Sequence, residues 1–220
     1  MTVRNDSSTT PQQDPRAARS YDALIQAMLA VLRRGEDPAA VSITEIVKAA
    51  KVSRPTFYQH FADVPDLIRA ATLHRLESIF ARIAAAELGG TWEDFARAKL
   101  RILLGALQSD AETYLRVLRG PAAARVIRGV IDFLADQLLH HSPLGTAVTR
   151  KVSNEEAHAR AEFLGAGATW RVVTWLESDF TGSNSLDEMV ERLAANILLA
   201  SGATSTESGA AAPRSGEGLP

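Results

Sequence analysis

The chain has 220 residues, 46% hydrophobic and 23% charged, with a formal net charge of -2 and no cysteine. That length supports one sizeable domain or a small one joined to a larger; the near-neutral charge argues against a surface that binds polyanions throughout, and the missing cysteines exclude disulfides, thiolate metal sites and cysteine nucleophiles. The opening MTVRNDSSTTPQQDP lacks the apolar run of a signal peptide and no apolar segment reaches membrane-spanning length, so a soluble, cytoplasmic protein without membrane partners is expected.

Charge is unevenly placed. Residues 1–61 hold eight basic against six acidic side chains, the rest 16 against 20, a mild polarity that permits a nucleic-acid-facing end. After a polar tail over 1–15, Leu24, Ala27, Met28 and Val31 mark a helical stripe from about Arg16 to Arg34, stopped by Gly35 and Pro38. The run SITE at 42–45 is a capping box: the Ser42 oxygen can accept from the Glu45 amide while the Glu45 carboxylate reaches back. Ile43, Ile46, Val47 and Ala50 line one face of the short helix that follows. KVS then breaks the pattern, and Ser53 is placed to cap a third helix carrying SRPTFYQHF.

A longer helix is predicted from Asp63, with Pro65 in its first turn, to the stop at Leu88–Gly90. Trp92, Phe95, Leu100, Leu103, Leu104 and Leu107 indicate another, Ala111 to Leu118 a short one, and Val126, Ile127, Val130, Ile131, Leu134 and Leu138 one more. Capping boxes at Ser153–Glu156 and Ser185–Glu188 open the last two, over roughly 154–178 and 186–200, before a tail expected to be disordered over 201–220. The sum is an all-α chain of about nine helices, in which a three-helix unit over 16–62 precedes a larger helical body over 63–200.

Two short helices joined by a tight turn and preceded by a longer one make a helix-turn-helix. At 100° per residue Phe57 and Phe61 share one side of the third helix, able to pack on Ile46 and Val47. Pro55, Thr56 and Gln59 fall opposite, flanked by Tyr58 and His60. That outward set suits base edges, because threonine meets thymine, glutamine pairs with adenine and Arg54 can pair with guanine. Tyr58, His60, Lys51, Lys48 and the capped amides at Ser42 are candidates for phosphate oxygens. A merely solvated polar face is the bland alternative.

The run SITEIVKAAKVSRPTFYQHFADVPDLI resembles the DNA-binding segment of the tetracycline-repressor (TetR) family of bacterial transcriptional regulators, with Tyr58, His60 and Phe61 its most specific positions and Arg16–Arg34 fitting the first helix. TWRVVTWLESD followed by SLDEMVERL is similar to the family's C-terminal half. Lys51 departs from the family's usual glycine, which calls either for a lysine at positive φ or for a different turn; Val64 departs from its usual lysine, which leaves one phosphate contact without its residue. The resemblance implies a repressor that binds a double-stranded operator as a homodimer and is released by a small-molecule effector held in the C-terminal domain. It implies DNA contacts from Ser42, Thr44, Lys51, Arg54, Pro55, Thr56, Tyr58, Gln59 and His60. Two recognition helices one turn of duplex apart, about 34–36 Å, independently favour a pair of chains this small. A four-helix seam between subunits is expected from the last two helices, through Ala161, Leu164, Ala168, Val172, Trp175 and Leu176 with Leu186, Met189, Val190, Leu193 and Ile197.

Trp92, Phe95, Leu103, Tyr114, Phe133 and Phe163 are candidates to line an effector pocket, against the alternative that each is plain core. An enzyme is the rival reading: His140 and His141 adjoin, and His158 lies four residues from Glu162. Such pairs are ordinary on solvated helices, and no nucleophile motif, phosphate loop, HExxH or GxGxxG accompanies them, so no catalytic, metal or cofactor site is expected. A helical ligand carrier without DNA activity is the third reading.

Overall fold

The computed structural model describes residues 15–85, 92–142, 144–150 and 152–201. They form α1 (Pro15–Arg33), α2 (Ile43–Ala50), α3 (Arg54–His60), α4 (Val64–Ala85), α5 (Trp92–Ser109), α6 (Ala111–Arg119), α7 (Ala123–His140), α8 (Gly145–Thr149), α9 (Asn154–Leu176) and α10 (Leu186–Ser201), with a 3₁₀ turn at Gly182–Asn184. No described residue is in a strand. The all-α expectation holds, and the one additional helix is α8, five residues too short to show a period. None of the described helices is long and apolar enough to cross a membrane. The expected end of α4 at Leu88–Gly90 and both tails lie outside the described residues.

Helices α1 to α3 form a head. Its core is built on the inner face of α1, where Leu24, Ile25, Met28 and Leu32 are buried, closed by Ile46, Val47, Phe57 and Phe61. Gly35 ends α1 at φ +73°, a conformation that favours glycine, and its N–H meets the Leu32 carbonyl at 3.2 Å. The head core does not stop at α3. Leu67, Ile68, Ala70 and Ala71 of α4 belong to it, as do Val117 of α6 and Ala122 and Val126 by α7.

A second core fills part of the body: Ile79 and Ile83 from the far half of α4, Leu104 and Leu107 of α5, Tyr114 of α6, Trp175 and Leu176 of α9, and Met189, Val190 and Leu193 of α10. Helices α7 and α9 approach closely at Gly165, where a Cβ would stand 3.2 Å from the Ile131 carbonyl oxygen. Trp175 is pinned by its indole N–H, which donates to the Asn184 carbonyl at 2.7 Å. The stripes expected to form an intersubunit seam are spent largely within the chain: Ala161, Trp175, Leu176, Met189, Val190 and Leu193 are all buried in a single copy. The reason is energetic priority, since α10 must first cover α5 before it can offer anything to a partner. What remains outside is a different set, Phe163 and Trp170 of α9 and Leu199 of α10, at 78%, 68% and 83% exposure.

Candidate functional site

The head's outer surface is built by three caps and one turn. At the start of α2 the Ser42 N–H donates to Glu45 Oε2 at 2.8 Å and the Glu45 N–H donates to Ser42 Oγ at 3.2 Å, the reciprocal box the sequence announces. Hydrogen bonds donated to it by the Ser42 backbone N–H and by the Ser42 hydroxyl, the latter also at 2.8 Å, hold the Glu45 carboxyl below its ordinary value. At the end of α2 Lys51 takes φ 55°, ψ 39°, left-handed, and the Val52 N–H donates to the Val47 carbonyl at 3.0 Å. Of the two ways to accommodate Lys51, the chain takes the positive-φ one. Ser53 then caps α3 by accepting from the Thr56 N–H at 3.2 Å, with its hydroxyl 2.7 Å from that of Thr56. Asp63 opens α4 by accepting from the Asp66 N–H at 2.8 Å.

Helix α3 is seated by its rings. Phe57 is fully buried, its ring 5.9 Å from that of Phe61. Phe61 stacks on Tyr21 of α1 at 5.3 Å. The face away from them presents Arg54, Pro55, Tyr58 and Gln59 to solvent, beside Ser42, Thr44, Lys48 and Lys51 from α2 and its turn, with Thr56 half-buried. His60 stands differently from the expected phosphate ligand. Its Nε2 lies 2.8 Å from Ser20 Oγ and its ring sits edge-on to Tyr21 at 5.8 Å, so α1 already holds it. Ser20 and Tyr21 are neighbours of α3 that sequence reading missed. The adjacent SY ahead of the α1 stripe was the available signal, but nothing in spacing says which residue forty positions on will meet it.

The body contains a cavity of about 510 Å³ between α4, α5, α6, α7 and α9, within the usual range of small-molecule sites, about 300–1,000 Å³. Leu103, Tyr114 and Phe133 line it, the last with its ring edge-on to Phe80 at 5.1 Å. Phe163 does not; it projects from α9 on the side away from the cavity's lining residues Leu164 and Ala168 and is exposed. One position of helical phase separates the two fates. Trp92 and Phe95 fall on α5, but their side chains lie outside the described residues. Val117 and Val126 line the cavity and also belong to the head core.

Head and body are tied by an ion pair. Arg125 at the start of α7 donates to Asp63 Oδ1 at 2.6 Å, just beyond the end of α3. Burial works to raise the Asp63 carboxyl, but hydrogen bonds from Arg125 and the Asp66 N–H, with the Arg125 charge, outweigh it and hold it below its ordinary value. The histidines of the rival reading are ordinary surface pairs: His158 Nε2 lies 3.5 Å from Glu162, and His141 Nε2 3.6 Å from Asp136, all well exposed. Among the described residues no group of three or more His, Cys, Asp and Glu is arranged to hold a metal.

A capped helix pair with a tight turn, an exposed polar face on the second helix and a helical body behind it make a helix-turn-helix arrangement, the class of fold element that DNA-binding proteins use to enter the major groove. Residues 34–71 match the family model described as bacterial regulatory proteins, tetR family. Over 99 residues, 44% of its length, the chain is 30% identical to the uncharacterized HTH-type transcriptional regulator YxbF of Bacillus subtilis (strain 168), a match that spans about a quarter, 26%, of that relative. The solved structure of the fatty acid degradation regulator FadR from Bacillus halodurans is also similar, at 18% identity and a TM-score of 0.40, with 87% of this chain and 98% of that one covered. Residues 34–71 of the chain are thus similar to the DNA-binding segment of tetR-family regulators, and they span the turn after α1, α2, α3 and the start of α4.

Proposed function

We propose that the protein is a homodimeric repressor that holds a roughly two-fold operator and leaves it when a small, chiefly apolar effector occupies the body cavity. In this reading Arg54, Thr56 and Gln59 read base edges beside Pro55. Ser42, Thr44, Lys51 and Tyr58 meet phosphates, which fix register without reading sequence. His60 works through Ser20 and Tyr21, setting how α3 sits on α1, with its outer edge beside the backbone.

The observation that carries the reading is the double use of Val117 and Val126, which line the cavity and also belong to the core of the head. Filling the cavity therefore acts on the packing beneath the head. An effector shifts the equilibrium only by binding one head-to-body arrangement better than another. The second copy is supported by the apolar stripe Phe163, Gly167 and Trp170 on α9, i, i+4, i+7, where a Cβ on Gly167 would meet nothing, with Leu199 of α10 also exposed.

The test starts from an operator selected from a random duplex pool, with affinity read by fluorescence anisotropy and mass by light scattering. Trp170→Glu is expected to give a monomer at micromolar concentration with weakened operator binding and near-native thermal stability. A wild-type monomer with full operator affinity would overturn the dimer. Native mass spectrometry of the purified protein should reveal a retained molecule, and adding that molecule should release the operator; tight binding with unchanged operator affinity removes effector release.

A further inference from the structure

The cavity wall has few hydrogen-bonding groups, and they differ in what they have left to give. Three of its polar side chains are buried: Thr72, Tyr114 and Thr169. The Thr72 hydroxyl donates to the Ile68 carbonyl at 2.8 Å and the Thr169 hydroxyl to the Gly165 carbonyl at 2.7 Å, so each has spent its one proton inside its own helix. Tyr114 stands otherwise. The guanidinium of Arg75 lies 5.2 Å from the Tyr114 ring centroid and pairs with Asp110. Among the described residues no acceptor takes the phenol proton. Burial, partly opposed by the Arg75 charge, keeps the phenol above its ordinary value and therefore protonated at neutral pH. The other polar groups of the wall are less enclosed: Glu77 and His141 are more than half exposed, Lys99 is already partnered, and Gln137 and Ser142 are half-buried, the Ser142 hydroxyl oxygen accepting from the Leu144 N–H at 3.2 Å.

We infer that the effector, if the cavity is its site as proposed above, is a neutral and chiefly apolar molecule with one hydrogen-bond acceptor, a ketone, ester or ether oxygen, which takes the Tyr114 proton. The acceptor is neutral because Asp110 already balances Arg75 beside Tyr114, leaving no net charge there for a carboxylate, while an ionised ligand would give up its hydration against walls such as Leu103, Phe133 and Leu164. Among the three buried polar side chains of the wall, Tyr114 is the one with a proton left to give. Tyr114 is thus the residue that sets specificity, with Arg75 and Asp110 positioning it. The same short helix α6 bears Val117, so a ligand held at Tyr114 pulls on an element that also packs into the head core.

The experiment measures displacement of the neutral fluorophore N-phenyl-1-naphthylamine by three ligands of matched bulk: 2-acetylnaphthalene, 2-ethylnaphthalene and 2-naphthoate. Wild-type protein should prefer the ketone to the carboxylate. Tyr114→Phe should weaken the ketone by roughly three- to tenfold, the usual net worth of one hydrogen bond, while the ethyl compound stays within about twofold, which also certifies that the variant's cavity is intact. Equal weakening of ketone and hydrocarbon, or tightest binding of 2-naphthoate by the wild type, would overturn the assignment of the acceptor while leaving the cavity as a ligand site. Failure of the fluorophore itself to bind wild-type protein would overturn the cavity reading altogether, and this inference with it.

Discussion

Around α3 the interior is filled: Phe57 is fully buried against Phe61, which stacks on Tyr21, which meets His60 edge-on. Around α7 the same chain leaves about 510 Å³ open among leucines, valines and two phenylalanines. Protein interiors ordinarily hold few voids larger than a water molecule, so the two regions put apolar side chains to opposite uses. In the head they fix a short helix whose seven residues carry too little helix propensity to stand alone. In the body they line a space, and contacts with one another are forgone so that contacts with something else become available.

The contrast is sharpest between two residues of one type. Phe57→Ala is expected to destabilise the protein by about 3–5 kcal/mol and to abolish operator binding, while Phe133→Ala, which enlarges a space already present, should cost about 1–2 kcal/mol and act mainly on effector affinity. Thermal unfolding of the two variants side by side checks this, and equal losses would mean that the body cavity is closed in solution. Smaller in stability but larger in selectivity, Gln59→Ala should leave the melting temperature unchanged and relax preference at particular operator positions by about 1–3 kcal/mol. A uniform loss over all sequences would move Gln59 from the bases to the backbone. The smallest effect concerns the joint between the regions. Because the folded Asp63 carboxyl lies below its ordinary value, the pair with Arg125 contributes fully above the ordinary carboxylate value of about 4 and is lost as pH falls through the lower folded one. Both side chains are close to half exposed, so the contribution is under about 1 kcal/mol, and Arg125→Met should flatten the acid limb of the stability profile by no more than that.

The head was legible because its determinants are local. A capping box needs only three residues' separation, and Ser42 with Glu45 and Ser53 with Thr56 stand as their spacing says. The outward and inward faces of α3 followed from 100° per residue. His60 was harder, since its environment is made by Ser20 and Tyr21 forty residues earlier. In the body, period told which residues are apolar but not which of several partners each apolar face would meet. Helices α9 and α10 carry more hydrophobic positions than one face can bury, so Leu193 was read as a subunit seam and is core, while Phe163 was read as lining and is surface. Tyr114, Leu103 and Phe133 fell into the cavity wall, yet nothing in their spacing distinguishes a wall from a filled core. Void space is a property of how helices cross, and no single helix encodes it.

Helix α4 gives Leu67, Ile68 and Ala71 to one core and Ile79 and Ile83 to the other along one unbroken rod. Melting either end of that rod strips packing from the other, so the two cores share their cooperativity, and a single calorimetric transition follows where two lobes would otherwise unfold in turn. An excised head ending at residue 62 would lack a wall of its own interior. The unit that folds is therefore larger than the head of α1 to α3, and α4 is what joins that head to the body.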